Sequence, residues 1–184
     1  MRDQNARIIR LAAGLILLLL ATGRSAAAQQ PPAAQQPANE WRGVERNMGR
    51  PGVLLPGDVY KLTFPRSDLK VMVKGVELKP ALALTSWIAF KKMGDEMMMM
   101  GDLVLTEDEV SLVMFKLQQG GIDQSALHNH VLGESPRIMY MHVTATGRAG
   151  GIAETLGAVL KLTGTPMGAP TASPAASGSV IDTK

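Results

Sequence analysis

The chain has 184 residues, no cysteine, 12 methionines, 46% hydrophobic and 19% charged residues, and a formal charge of +3. That length gives one domain, two at most. The missing cysteine excludes a disulfide framework, a thiolate metal site, a cysteine nucleophile and a cysteine-linked lipid anchor.

The chain opens on a pattern for export. Arg2, Arg7 and Arg10 form a positive start, Leu11 to Leu20 is apolar, and Ser25-Ala26-Ala27-Ala28 offers small residues for cleavage. Residues 1–28 therefore read as a secretory signal, too short in its apolar run to span a bilayer. The expected location is the periplasm or the exterior, with no stable membrane anchor after cleavage. Arg2, Arg7, Arg10 and Arg24 against Asp3 account for the whole +3, so residues 29–184 are neutral. A nucleic-acid partner is not expected of a neutral domain.

Residues 29–38 are Pro/Gln/Ala-rich and read as a disordered linker; residues 165–184 read as a disordered tail. The span 39–164 between them is long enough to fold alone. Asn39 starts a short helix with Trp41, Val44 and Met48 on one face, ended at Gly49 and Pro51. Val59 to Pro65 alternates as a strand. Leu69 to Val73 and Val76 to Leu78 flank a Lys74-Gly75 turn. Ala83 to Phe90 is a further strand, followed by a turn at Gly94-Asp95.

Met97 to Leu105 reads as a strand buried on both faces and broken at Gly101-Asp102. In it Met97-Met98-Met99-Met100 serves as core filling, with Cu(I) binding as the alternative use of the thioethers. Thr106 and Glu109 form a capping box. Val110, Val113, Met114 and Leu117 then follow at helical spacing, stopped by Gly120-Gly121. Asp123 to Leu132 and Arg137 to Ala145 read as a hairpin turning at Gly133-Glu134-Ser135-Pro136. A last helix carries Ile152, Leu156, Val159 and Leu160 inward. The order β-α-β-β-α after a strand-rich first half predicts an α+β fold, an antiparallel sheet with two main helices on one face.

All three histidines fall in the predicted hairpin: His128, His130 and His142. Strand side chains alternate faces. The apolar set Leu127, Val131, Met139, Met141 and Val143 is expected on the helices. His128, His130, Tyr140 and His142 then share the other face, with 128 set opposite 142. Glu134 is the nearest carboxylate in sequence. Imidazoles with a carboxylate suit a divalent transition metal: zinc, copper, iron, nickel or manganese. His128, His130, His142 and Glu134 are the candidate ligands. Asn129, Arg137, Tyr140, Arg66 and Asp102 are candidates for contacting a small ligand or supporting the metal ligands.

The H-x-H-x3-E spacing of His128, His130 and Glu134 resembles the first ligand motif of cupins. A second G-x5-P-x-G motif is missing and the element order is not a cupin barrel, so only the ligand idea carries over.

A wider pattern is more specific. Gly101 to Val110 (GDLVLTEDEV), Gly121-Ile122, Ala126-Leu127-His128-Asn129-His130, Glu134-Ser135-Pro136-Arg137 and Met139 to His142 together resemble the LppY/LpqO family of exported bacterial proteins, a domain of unknown function. Gly49-Arg50-Pro51-Gly52 and Phe64-Pro65-Arg66 fit the same resemblance, which covers residue 41 to about 166. It implies export and assigns no chemistry. Members resemble two tandem copies of this unit, and some are lipoproteins; this chain has one copy and no cysteine. The resemblance implies a homodimer that would replace the contact between copies. Three roles follow: an exported domain binding a metal ion or small ligand, a metal-dependent enzyme on the same residues, or a non-catalytic envelope interaction module.

Overall fold

The computed structural model describes residues 39–168. The signal segment, the linker and residues 169–184 of the expected tail lie outside the described residues. Among those described, no helix is long and apolar enough to cross a membrane.

The fold is α+β, built on a six-stranded antiparallel sheet. The strands are β1 (Val53–Leu55), β2 (Val59–Pro65), β3 (Val71–Val73), β4 (Val76–Leu78), β5 (Thr85–Met93), β6 (Glu96–Thr106), β7 (Asp123–His128), β8 (Glu134–Ser135) and β9 (Ile138–Gly147). The large sheet runs β1-β2-β5-β6-β9-β7, and a small one runs β4-β3-β8. The helices are α1 (Arg42–Met48), α2 (Val110–Gln119) and α3 (Ala149–Leu160).

Alternation along the strands sorts the two faces. Leu62, Phe64, Ile88, Phe90, Met99, Leu103, Met141 and Val143 point to one face. There they meet Val44 and Met48 of α1, Val113 and Leu117 of α2, and Leu156 and Leu160 of α3. All three helices therefore cover one side of the sheet: the two main helices expected, and the short helix expected after Asn39. A second cluster forms on the other side, where Val71 and Leu78 of the small sheet cover Val104, Ile138, Tyr140 and Leu84. Among the described residues, no further element covers the rest of that side.

The capping box forms as the sequence predicts. A single 3-10 turn, Glu107–Glu109, leads into α2, and Glu109 Oε2 accepts from the Thr106 N–H at 2.8 Å. The Lys74-Gly75 pair has positive φ at both residues (49° and 84°), the geometry that joins a tight hairpin. Residues 53–55, unassigned from sequence, add the edge strand β1 beside β2.

Several expectations change. β6 is continuous through Gly101 and Asp102. A Cβ at Gly101 would lie 2.7 Å from Ile88 Cδ1 and 2.9 Å from the Trp87 carbonyl oxygen, so this glycine admits a close approach rather than a break. Nor is the methionine run buried on both faces. Met97 and Met99 enter the core, whereas Met100 on the open face is 54% exposed.

The final hairpin is not simple either. Glu134 and Ser135 form β8 and pair with β3, so the 129–137 connection builds the small sheet instead of turning tightly. As a result Val131 packs in the second cluster. Leu127 is exposed on the edge strand. Thr165 is buried, and the Pro166 carbonyl accepts from Arg50 Nη2 at 2.8 Å, so residues 165–166 pack on the domain.

Candidate metal centre

The site lies on the open face of the large sheet, at the end covered by the small sheet. β6 supplies Asp102 and β9 supplies His142, directly opposite one another in the ladder. β7 supplies His128, and His130 follows just past its end. A register shift between Gln124 and Ala126 sets the pairing. It places His128 opposite Tyr140 and Ala126 opposite His142, not 128 opposite 142. The imidazoles still converge, because diagonal neighbours on one face remain within reach of long or ring side chains.

The ring centroids of His128 lie 4.8 Å from those of both His130 and His142. One ligand nitrogen from each of the three rings lies within 4.8 Å of the others. Tetrahedral bonds of roughly 2.0–2.1 Å set ligand nitrogens roughly 3.3 Å apart. Small torsional adjustments of half-exposed rings close that gap. Among the described residues, these three histidines are the group able to hold a metal ion.

Asp102 adds the carboxylate. Its Oδ2 is 3.8 Å from His142 Nε2, while its Oδ1 is buried with no hydrogen-bond partner among the described residues. Burial raises the Asp102 carboxyl above its ordinary range, and the imidazoles of His142, His130 and His128 oppose that rise. Burial also lowers His130; Asp102 opposes this and the two other imidazoles reinforce it. A neutral imidazole is the form that ligates metal, so the apoprotein holds His130 ready. A carboxylate with one buried oxygen unpartnered among the described residues, beside three imidazoles, is a place where a cation would supply the missing partner. Asp102→Asn should raise the chemical-denaturation stability of the apoprotein by about 1 kcal/mol by removing that desolvated charge, while weakening metal binding. A fall in apoprotein stability would show that Asp102 is already satisfied.

Tyr140 supports the centre from below. Its ring stacks on His130, with centroids 3.5 Å apart and planes 13° from parallel. Its hydroxyl donates to the Ala83 carbonyl at 3.1 Å. Burial, followed by the Asp102 and Glu134 carboxylates, pushes the phenol up to about 12. It is held protonated in the metal-free protein, and its stacked ring orients the His130 ring.

The other sequence candidates are placed differently. Glu134 is outside the histidine group; it accepts from Asn129 Nδ2 at 3.2 Å and from the Ile138 N–H at 3.4 Å. Asn129 also donates to the Ile138 carbonyl at 2.7 Å, so the pair fixes the 129–138 loop that presents His130. Arg137 is exposed. Arg66 is buried and fully engaged: it pairs with Asp68 at 2.9 Å and Glu109 at 2.8 Å, and donates to the Val104 carbonyl. It ties the chain together and faces no ligand.

An open cleft of about 220 Å³ adjoins the centre. Asp102, His130 and Tyr140 form one wall, and Pro80 to Ala83, Thr85 and Trp87 form the rest. The 80–83 segment had no sequence signal as a wall. The outward parity of Trp87 on its strand is the signal that could have pointed to this face.

The searches of curated proteins and of solved structures return no match. Residues 42–162 match the family model described as "Domain of Unknown Function (DUF1259)". That span contains every strand, the three helices and all three histidines, and the chain belongs to this family.

Proposed function

We propose that this protein is an exported metal-binding domain of the LppY/LpqO type that holds a divalent transition metal through His128, His130 and His142. Asp102 supplies the fourth ligand or balances the charge. The observation that carries this reading is the gathering of three ligand nitrogens within 4.8 Å. The unpartnered Asp102 Oδ1 supports it. Export is supported by the arginine-flanked apolar run at Leu11 to Leu20 and by the resemblance to the LppY/LpqO proteins.

Metal analysis of protein purified without an affinity tag tests the reading. The expected result is close to one equivalent of zinc, copper, nickel, iron or manganese per chain, removable by a chelator and restored by dialysis. Protein that takes up no metal and gains no stability from any of these ions would sink it.

The cleft favours a second reading, a metal-dependent enzyme. A metal with an open position there would polarise a substrate carbonyl or activate water. Ala81→Trp separates the two, since Ala81 is exposed on the cleft wall and outside the ligand set. In an enzyme, this change removes complementation of a deletion strain while metal content stays the same. In a binding protein, complementation survives.

A further inference from the structure

We propose that the ion this centre handles is copper in the cuprous state, with Met100 adding a thioether to the imidazoles and Met98 and Met93 extending a sulfur path to the β5–β6 hairpin tip. The inference rests on the metal reading above, keeps its three histidines, and replaces the divalent ion with monovalent Cu(I).

The register places the sulfurs. On β6 the helix-facing residues are Met97, Met99 and Leu103, so Met98, Met100 and Asp102 share the open face. Met100 pairs with Thr144, two residues along β9 from His142. Asp102 pairs with His142 itself. Met100 is therefore the diagonal neighbour of His142, about 7–8 Å away between backbones, within reach of long side chains. Met98 follows two residues further along, roughly 6.8 Å on. On β5, Ile88 and Phe90 face the helices, so Met93 faces outward. Met93 pairs with Glu96, diagonal to Met98. Three thioethers thus step along one face from the hairpin tip to the imidazoles.

Burial argues against core filling. Met97 and Met99 fill the core, but Met93 is 47% exposed and Met100 is 54% exposed. An unbranched apolar side chain left half in water contributes little packing. A neutral thioether is a soft donor that suits Cu(I), whereas zinc takes thiolate, imidazole and carboxylate ligands and manganese takes oxygen. The chain has no cysteine, so methionine is its only sulfur ligand.

The test is Cu(I) affinity, measured without oxygen by competition with a chromophoric Cu(I) chelator on the full chain. Zn(II) affinity is measured in parallel. Met100→Leu keeps side-chain volume at an exposed position, so the fold is retained. The expected result is at least a tenfold loss of Cu(I) affinity with Zn(II) affinity unchanged within twofold. X-ray absorption of the wild-type Cu(I) complex should show a sulfur scatterer that Met100→Leu loses. Equal Cu(I) affinity in the variant, or a Cu(I) shell of nitrogen and oxygen alone, overturns the inference. Wild-type protein that binds Zn(II) but not Cu(I) overturns it and leaves the metal centre standing. Protein that binds neither ion overturns both.

Discussion

Replacing His128, His130 and His142 together with alanine will abolish metal-dependent stabilisation and leave the fold intact. A ligand that binds only the native state at a hundred times its dissociation constant adds about 2.7 kcal/mol. For a domain of this size that is a rise in melting temperature on the order of 10 °C. The variant should show none of it. The apoprotein's own melting temperature should move little, because His130 and His142 are exposed and His128 is only half-buried. His142→Ala alone leaves two imidazoles and Asp102, so binding weakens without disappearing. Differential scanning fluorimetry with and without metal reads each of these outcomes. A triple variant that still melts higher with metal would place the ion elsewhere.

Glu109→Ala will cost about 3–5 kcal/mol, the penalty for stranding a buried charged partner. One carboxylate serves four donors: Arg66 Nη1 at 2.8 Å, Arg66 Nη2 at 3.0 Å, the Thr106 N–H at 2.8 Å and the Gly164 N–H at 2.9 Å. It joins the start of α2, the Arg66 segment and the turn after α3. Urea unfolding should show the loss directly; a change under 1 kcal/mol would mean that water replaces the carboxylate.

The same residue shapes the acid limb. Burial pushes the Glu109 carboxyl up, but hydrogen bonds from Arg66, Gly164 and Thr106 outweigh it and hold the group below the usual carboxylate range. A depressed folded value contributes stability above the unfolded value of about 4.3. That contribution drains away as pH falls below 4.3 and through the folded value. Wild-type stability should therefore fall steeply in that window, and Glu109→Ala should fall less steeply.

The elements that sequence reading placed well are those whose signals are local. The β2 strand has its predicted bounds, Val59–Pro65, because alternation and Pro65 mark both pattern and end. The capping box at Thr106 and Glu109 was legible for the same reason. The histidine face was legible because strand parity alone puts 128, 140 and 142 on one side. What stayed hidden depends on partners distant in sequence. Glu134 and Ser135 look like a turn until β3 is there to pair with them. Arg66 looks like a ligand contact until Glu109, 43 positions away, closes on it. The register shift at Gln124/Ala126 leaves no mark in hydrophobicity. Asp102 looked like a strand break because a charged residue after glycine interrupts an apolar run. Only the tertiary ladder turns it into the carboxylate opposite His142.

The position of β7 has one more consequence. It is the rim of the large sheet, paired on one side with β9 and, among the described residues, with no strand on the other. Its outward row of amide groups is a template on which another chain can grow. An ion bridging His128 and His130 to His142 would rivet this rim to its neighbour. Loading would then slow hydrogen exchange along residues 123–128 and keep the rim from peeling. The empty protein would be the form whose rim opens more readily, so metal supply would govern local stability as well as occupancy.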